Sequence, residues 1–317
     1  MPSIRSLLYF TLSFPLLALA GNYTLSDNYQ GNDFITQFDF FSGEDPTHGF
    51  VNYVNQTVAK QTDLVQVSGT NFTMRADDQA VVPEGARGRD SVRISSQKAY
   101  NTHVAVFNVA HMPTGCGTWP AIWEVEGQNW PLGGEVDIVE GVNLATQNTV
   151  SLHTGPNCSV PSVRTAMTGN PLNNDCNSSG TSNAGCNVEL TPADNYGPTF
   201  NSNGGGFYAM ERTDTMISVW FWSRDSDEIP NDVFNGLDTV DPTTWGTPAA
   251  LFPNNQCNIE ESFGAHNIVI NLTFCGDLAG SQYGQSGCPS TCNDFVKNNP
   301  EAFSDAMFQI MWAKVYE

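Results

Sequence analysis

The residues best suited to catalysis lie in one short segment of the chain, Gly133-Gly-Glu-Val-Asp-Ile-Val-Glu-Gly-Val-Asn143. Side chains alternate along an extended strand, so Glu135 and Asp137 share one face. Strict alternation would turn Glu140 to the other face, but a β-bulge between Asp137 and Glu140 adds one residue and brings it back. Three carboxylates on one strand face repel each other. Such a row is unfavourable for stability, and it favours a chemical role.

The chemistry that needs this arrangement is the cleavage of a glycosidic bond. It uses two carboxyl groups, one as nucleophile or base and one as a protonated acid on the leaving oxygen. A third carboxyl group nearby helps to separate their pKa values. We predict Glu135 as the nucleophile and Glu140 as the acid/base, with Asp137 hydrogen-bonded to Glu135. The Cα atoms of the two glutamates should lie on the order of 13 Å apart, within reach of the carboxyl separation of roughly 5 Å typical of a retaining enzyme.

The tryptophans near this motif bear on its interpretation. Taken alone, Glu-x-Asp-x-x-Glu is also typical of a solvated acidic strand face or of a calcium site with oxygen ligands. Indole rings favour catalysis on a sugar, because their apolar faces match the C–H faces of a pyranose. Trp123 and Trp130 are predicted to line a cleft, since Trp123 points away from the face of Glu124 and Trp130 lies in a polar loop. For Trp119 and Trp220 we expect core packing.

The elements that must position these residues are mostly strands. Apolar and polar residues alternate over 121–126, and one short helix is expected near 294–298. Further β-rich runs bounded by turn residues cover 216–222, 267–274 and 308–316. This pattern is typical of a multi-stranded antiparallel sandwich. The segment 168–206, rich in Asn, Ser and Gly, holds Cys176 and Cys186 and is expected to be a long loop, stapled by disulfide, that hangs off the sandwich rather than forming a domain.

The N-terminal segment has the features of a secretory signal peptide. Arg5 precedes an apolar run over 7–19, and the small-x-small pattern Ala18-Leu-Ala20 closes it. The run is too short for a stop-transfer helix, which leaves a membrane anchor as the weaker alternative. We therefore expect a signal peptide over 1–20 and one catalytic domain over 21–317. The protein is expected to be secreted and extracellular, with attachment to a cell wall as an alternative location.

The cysteines and the sequons agree with export. All eight cysteines follow the signal segment, and an even count in an exported chain implies disulfides, whose pairing the sequence leaves open. A zinc cluster is the rival interpretation, and it is weak because Cys288 and Cys292 have no matching pair at finger spacing. Candidate glycan sites, which would lie on the surface, are Asn22, Asn55, Asn71, Asn157, Asn177 and Asn271.

The charge of the chain limits its partners. With a formal net charge of -21, the chain lacks the basic patch that contacts to phosphate need, so neither nucleic acid nor insertion into an anionic membrane is expected. Sulfated and uronic polysaccharides should also be disfavoured near its surface. A neutral polysaccharide is the compatible partner, and we expect it to act on a monomer.

Several motifs, in the same order along nearly all of the chain after the signal segment, carry a family resemblance. Around the core string Gly134-Glu-Val-Asp-Ile-Val-Glu-Gly-Val-Asn143 they are Asp45-Pro-Thr-His-Gly49, Asp90-Ser-Val-Arg-Ile94, Gly115-Cys-Gly-Thr-Trp-Pro-Ala-Ile-Trp123, Leu152-His-Thr154, Tyr208-Ala-Met-Glu-Arg212 and Phe274-Cys-Gly-Asp277. In these motifs the chain resembles glycoside hydrolase family 16, in particular its fungal laminarinase-like endo-1,3(4)-β-glucanases.

The resemblance implies an all-β fold, a β-jelly-roll sandwich of two curved antiparallel sheets with a concave substrate cleft. It implies retaining double displacement on β-1,3 and mixed-linkage β-1,3-1,4 glucans such as laminarin and lichenan, without a cofactor or a catalytic metal. By position, the implied catalytic residues are Glu135, Asp137 and Glu140. The implied substrate-binding residues are Trp123, Trp130, Arg93 and His153.

The implied binding roles differ along the cleft. Trp123 and Trp130 would line glycone subsites, Arg93 would hydrogen-bond to sugar hydroxyls, and His153 would lie close to the catalytic carboxylates. The chain departs from the family pattern on the aglycone side of the cleft. Relatives commonly carry a tryptophan there after Cys-Gly-Asp, and this chain has Leu278. The loss of stacking there, on the order of 1 kcal/mol, predicts weaker binding of the leaving sugar or a shifted linkage preference.

Two other functions fit the same fold. A cell-wall β-glucan transglycosylase would pass the glycosyl-enzyme to a sugar instead of to water. Transglycosylases of this family usually have the shorter motif Glu-x-Asp-x-Glu, so the longer motif of this chain favours hydrolysis. A non-catalytic glucan-binding lectin would keep the tryptophans but would have no need of both catalytic carboxylates.

Overall fold

The computed structural model describes residues 21–317. The expected signal peptide over 1–20 lies outside the described residues. Among the residues that are described, no helix is long and apolar enough to cross a membrane.

Strands follow the alternation of apolar and polar residues, because each strand turns successive side chains to opposite faces. Strands β1 to β19 of the described chain are Tyr23–Tyr29, Phe38–Phe40, Val51–Tyr53, Val65–Ser68, Asn71–Arg75, Arg89–Ser91, Arg93–Tyr100, His103–His111, Thr118–Val125, Glu135–Glu140, Thr149–His153, Asn170–Asn173, Cys186–Glu189, Gly206–Arg212, Met216–Ser223, Thr239–Val240, Ala250–Pro253, His266–Phe274 and Met307–Tyr316. The short helices α1 to α6 are Asp33–Thr36, Gln56–Gln61, Gly197–Ser202, Asn231–Asn235, Ile259–Ser262 and Cys292–Asn298.

Two large antiparallel sheets contain most of these strands. The nine-stranded sheet has the order β16-β1-β19-β8-β14-β15-β17, with β5 also paired to β19 and β4 paired to β5. The eight-stranded sheet has the order β12-β13-β11-β10-β9-β18-β7-β2. Strands β3 and β6 form a small parallel pair beside them. Most neighbours in both sheets are far apart in sequence, so the chain crosses repeatedly from one sheet to the other.

The core lies between the two sheets. Ile122 and Val136 of the eight-stranded sheet and Phe107 and Met210 of the nine-stranded sheet belong to one cluster of fully buried side chains. Residues at the alternate positions of the nine-stranded sheet form a second cluster on its outer face, which includes Trp220 at 5% exposure. The predicted core packing of Trp220 is therefore confirmed.

The strand predictions are confirmed, since 216–222, 267–274 and 308–316 fall within β15, β18 and β19. The helix expected near 294–298 falls within α6. The loop prediction for 168–206 is wrong in part. Strand β13 pairs with β11, and β12 pairs with β13, so both extend the eight-stranded sheet. Backbone hydrogen bonds hold these strands at the sheet's edge, and such bonds need no alternation of apolar side chains.

Disulfides join all eight cysteines. In the described chain no cysteine is free, which excludes the rival zinc interpretation. One bridge, Cys176–Cys186, lies within the segment predicted to be stapled, and another fastens α6 to the turn after β18. The pairs are Cys116–Cys288, Cys158–Cys257, Cys176–Cys186 and Cys275–Cys292.

The six sequons differ in exposure. Asn22, Asn55 and Asn157 are exposed, while Asn71 and Asn177 are half-buried. Asn271 is only 7% exposed. Asn271 lies on the central strand β18 and is therefore not one of the surface positions expected of a site that carries a glycan.

Candidate active site

The row of carboxylates lies on β10, a central strand of the eight-stranded sheet. Asp137 and Val139 pair with two consecutive residues of β9. Ile138, which lies between them, is therefore the extra residue of β10. This is the predicted β-bulge. Ile138 and Val139 are both fully buried in the core. The bulge thus leaves Glu140 on the same face of the sheet as Asp137.

Glu135 begins β10 and is held by the loop that precedes the strand. Trp130 Nε1 donates a hydrogen bond to Glu135 Oε2 over 2.8 Å, and Trp130 itself is 44% exposed. Gly134 has a φ of 78°, and a Cβ atom at this position would lie 2.5 Å from the ring of Phe263. Only glycine fits so close an approach, so the chain enters β10 at a fixed point.

Glu140 is held in the same way by Trp119. Trp119 Nε1 donates to Glu140 Oε1 over 2.8 Å, and the ring is half-buried. The expected core packing of Trp119 is therefore wrong. The spacing contained the signal that was missed: Trp119 and Trp123 are four residues apart on β9, and a period of two places them on one face.

His153 lies opposite Glu135 on the neighbouring strand β11. Its Nε2 is 3.3 Å from Asp137 Oδ2, and Asp137 is 3% exposed. In the part of the chain that the structure describes, Asp137 Oδ2 has no hydrogen-bond partner. No hydrogen bond joins Asp137 to Glu135 among the described residues, although one oxygen of each lies within 4.8 Å of the other.

One oxygen each of Glu135 and Asp137 and a ring nitrogen of His153 lie within 4.8 Å of one another. Two carboxylates and an imidazole at this distance could hold a divalent cation. The same proximity couples the protonation of the two carboxyl groups, Glu135 and Asp137.

Burial raises the pKa of all three carboxyl groups on β10. It raises the pKa of Glu135 to about 8, and the pKa of Asp137 and of Glu140 to about 7. The charge of Asp137 raises the pKa of both glutamates further. The hydrogen bonds that the two glutamates accept from indole N–H groups lower it. Near neutral pH the row therefore holds protons. The carboxyl groups are coupled, so a partly protonated row holds an ionised carboxylate beside a protonated one. Taken singly, the pKa values place the proton on Glu135 before Glu140, whereas a nucleophile at Glu135 and an acid at Glu140 need the opposite distribution.

Arg93 and Trp123 form a stacked group beside the carboxylates. The guanidinium carbon of Arg93 lies 4.9 Å from the ring centre of Phe41 and 5.0 Å from that of Trp123. Trp123 Nε1 donates to Asn271 Oδ1 over 2.7 Å, and Asn271 Nδ2 donates to the hydroxyl of Tyr53 over 3.2 Å. Asn271 thereby fixes the Trp123 ring. Sequence analysis missed this contact, because the residue was considered only as a sequon.

Leu278 lies at the other end of the face, in the π-helical turn Gly276–Gly280. It is half-buried. Beside it, Asp277 accepts a hydrogen bond from His48 Nδ1 over 3.0 Å, and this contact raises the pKa of His48. The turn is thus tied to the Asp45-Pro-Thr-His-Gly49 motif, and it carries an aliphatic side chain where the resemblance predicts an indole.

All of the predicted site residues lie on the eight-stranded sheet or in the loop before β10, where Trp119 and Asn271 join them. Two antiparallel sheets packed face to face, with carboxylates between indole rings on one of them, define a carbohydrate-active jelly-roll. Residues 38–316 match the family model described as XgeA-like, catalytic GH16 domain. The chain belongs to glycoside hydrolase family 16.

Solved structures agree in fold. Laminarinase 16A from Phanerochaete chrysosporium, solved with 6-O-glucosyl-laminaritriose in donor and acceptor sites, has a TM-score of 0.92 and 50% identity over 94% of this chain and 100% of that one. An elongating β-1,3-glucosyltransferase of the same family has a TM-score of 0.87 and 41% identity over 93% of this chain and 100% of that one. The predicted jelly-roll is confirmed.

Curated relatives are longer than this chain. A probable glycosidase of Schizosaccharomyces pombe is 40% identical over 301 residues, which cover 94% of this chain and 70% of the relative. A probable endo-1,3(4)-β-glucanase of Aspergillus niger is 40% identical over 326 residues, which cover 99% of this chain and 42% of the relative. The chain therefore spans less than half the length of the Aspergillus protein.

Proposed function

We propose that this chain is a secreted, retaining endo-β-glucanase that hydrolyses β-1,3 and mixed-linkage β-1,3-1,4 glucans. The observation that carries the proposal is the bulge at Ile138, which sets Glu135 and Glu140 on one face, each with one oxygen held by an indole N–H. A solvated acidic strand does not account for carboxyl groups that are partly buried and fixed in this way.

In the first step, the Glu135 carboxylate attacks the anomeric carbon of the sugar. Glu140 gives its proton to the glycosidic oxygen as the bond to that oxygen breaks, and the leaving sugar departs as a neutral alcohol. The glycan is then held to Glu135 as an ester. In the second step, Glu140 takes a proton from water, whose oxygen attacks the same carbon and releases Glu135 as carboxylate. Two inversions give net retention.

Asp137 and His153 assist without bonding to the sugar. One oxygen each of Glu135 and Asp137 and a ring nitrogen of His153 lie within 4.8 Å of one another, so Asp137 and His153 can fix the position of the Glu135 carboxylate beside the anomeric carbon. The rise in pKa of Glu140 to about 7 keeps a proton available for the leaving oxygen near neutral pH.

The substrate class follows from the surroundings of the carboxylates. Trp130 and Trp123 offer apolar ring faces for sugar stacking, and Arg93 offers hydrogen-bond donors beside them. A chain with a net charge of -21 suits an uncharged glucan. The laminarinase relative binds a β-1,3-glucan oligosaccharide, and the Aspergillus relative is named for both linkage types.

The first experiment measures the sugar released from laminarin, lichenan and cellulose by the wild type, Glu135→Gln and Glu140→Gln. Glu189→Gln, a glutamate on β13 of the same sheet, is the matched control. We expect the wild type and the control to cut the first two glucans and to spare cellulose, with both active-site variants inert. Binding of laminarin without any cleavage by the wild type would contradict the proposal.

Azide rescue assigns the two roles. With an activated aryl β-glucoside, Glu135→Ala should yield an α-glycosyl azide, because azide takes the place of the nucleophile on the opposite face. Glu140→Ala should yield a β-glycosyl azide from the glycosyl-enzyme. If the two anomers were exchanged between the variants, the roles would have to be reversed.

Transfer to a second sugar is the competing function, and the similarity to an elongating β-1,3-glucosyltransferase favours it. The same glycosyl-enzyme would then be attacked by a sugar hydroxyl in place of water. Mass analysis of products from a single laminari-oligosaccharide separates the two: a hydrolase gives shorter chains only, and a transferase gives chains longer than the substrate.

A further inference from the structure

A cluster of buried polar side chains lies between the two sheets, on strands that belong to both of them. It consists of His103 on β8, Glu124 on β9, Arg212 on β14 and His266 on β18, none of which is more than 4% exposed. The double displacement uses none of them. Buried charges cost stability unless their partners are well placed, so this cluster needs an explanation beyond packing.

The cluster links the two sheets through its charges. His103 Nε2 lies 3.0 Å from Glu124 Oε1, and His103 Nδ1 lies 2.9 Å from the carbonyl oxygen of Asn101, so both ring nitrogens face acceptors. Burial alone would raise the pKa of Glu124, but the interactions with His103 outweigh it and lower that pKa. The charge of Arg212 also contributes to the lowered pKa of Glu124.

From this anchor, hydrogen bonds run to the backbone just before the nucleophile. Arg212 Nη2 donates to the carbonyl oxygens of Phe263 and Gly264, each over 2.6 Å. The N–H of Gly264 donates to the carbonyl oxygen of Gly133 over 2.8 Å, and His266 Nε2 donates to the same oxygen over 2.8 Å. Burial lowers the pKa of His266 to about 4, so near neutral pH the ring is uncharged and carries its proton on Nε2.

We propose that His266 and Arg212 are positioning residues for Glu135. His266 holds the Gly133 carbonyl group directly, and Arg212 holds it indirectly by fixing Gly264, whose N–H donates to the same oxygen. This fixes the start of β10, where the Glu135 carboxylate meets the N–H of Trp130. The inference rests on the proposed function. Because a misplacement of about 1 Å at a reacting group can cost on the order of 10²-fold in rate, loss of this support should lower kcat and spare binding.

The test compares His266→Leu, which removes the donor to Gly133, with His266→Gln, whose amide can still donate. Trp245→Phe is the control, since Trp245 is buried in the cluster on the outer face of the nine-stranded sheet and donates to Asp232. For each protein, kcat and KM on laminarin and the midpoint of thermal unfolding are measured. Arg212→Lys, which keeps the charge and loses the two-carbonyl contact, serves as a second variant if His266→Leu does not fold.

We expect His266→Leu to lower kcat about 10²-fold with little change in KM, and His266→Gln to recover most of that loss. Arg212→Lys should lower kcat with KM unchanged, and Trp245→Phe should lower the unfolding midpoint only. The proposal is overturned if kcat is unaffected in both Arg212→Lys and the foldable His266 variants, or if Gln loses as much as Leu. A wild type without activity, or an active Glu135→Gln, would instead contradict the proposed function.

Discussion

Trp119 and Trp130 make equivalent hydrogen bonds to the two glutamates of β10. Each indole N–H holds one carboxylate oxygen at 2.8 Å, so the other oxygen is left for the sugar. A hydrogen bond to the ionised form favours that form, and each indole therefore restrains a pKa that burial raises. At the scale of single residues, the tryptophans set protonation as well as ring stacking.

The first prediction concerns Trp119→Phe, which keeps a ring and removes the donor to Glu140. Since the N–H stabilises the Glu140 carboxylate, its loss should raise the pKa of Glu140 further. The alkaline limb of the pH profile of kcat/KM should therefore move to higher pH. Trp220→Phe, in the outer cluster, is the control and should leave the limb in place. A limb that stays or moves to lower pH in Trp119→Phe would refute this reading of the contact.

The second prediction concerns Leu278→Trp in the π-helical turn. An indole at this position should stack on the leaving sugar with a gain on the order of 1 kcal/mol, which corresponds to a decrease in KM of roughly fivefold. KM and the ratio of activities on laminarin and lichenan are the quantities to measure. If neither changes, Leu278 does not face the bound sugar.

At the scale of elements, the bulge of β10 decides which side chains reach the sugar. It gives the core two consecutive residues, Ile138 and Val139, and gives the cleft Glu140. Without the extra residue, the row would be spaced as Glu-x-Asp-x-Glu, the arrangement expected of the transglycosylases discussed above. The strand's pairing with β9 would remain the same, because Val139 and Glu140 would keep their partners.

The third prediction is that deletion of Ile138 leaves a folded protein with impaired chemistry. Glu140 should stay on the acidic face but move toward Glu135, and activity on laminarin should fall on the order of 10²-fold. Circular dichroism and the unfolding midpoint check the fold. Ile138→Val, which keeps the bulge, is the control. Full hydrolytic activity in the deletion variant would show that the bulge has no part in catalysis.

The local features of this site could be predicted from sequence, and the relations between strands could not. The alternation of side chains and the extra bulge residue are properties of a single strand. They are enough to place Glu135, Asp137 and Glu140 on one face. The hydrogen bond that Trp123 donates to Asn271 depends on β18 lying next to β9, which no local pattern encodes. The same holds for β12 and β13, whose backbone pairing adds two strands at the edge of the sheet in a segment that resembles a loop.

At the scale of the whole molecule, the active-site carboxyl groups oppose stability as pH rises. Their pKa values in the folded protein lie above the ordinary values of 4.5 for glutamate and 3.8 for aspartate. The folded state then binds more protons than the unfolded state between those values and about 8, so stability falls as pH rises through this range. The net charge of -21 adds repulsion in the same direction.

The fourth prediction is that Glu135→Gln is more stable than the wild type at pH of about 8, because the amide removes a buried group that must ionise. Its unfolding midpoint should also fall less steeply between pH of about 4.5 and about 8. Differential scanning calorimetry over this range measures both. Glu228→Gln, at an exposed position, should follow the wild type. A variant less stable than the wild type at the alkaline end would contradict the assignment.

The position of β19 has a consequence for folding during synthesis. This strand pairs with β1, β5 and β8, all of which are made long before it. Until 307–316 leave the ribosome, β8 faces a gap with unpaired N–H and C=O groups. Contacts of such sequence separation form slowly, and the unfinished sheet is open to aggregation. A chain stopped before Met307 should therefore fail to fold at all, rather than lose one peripheral strand.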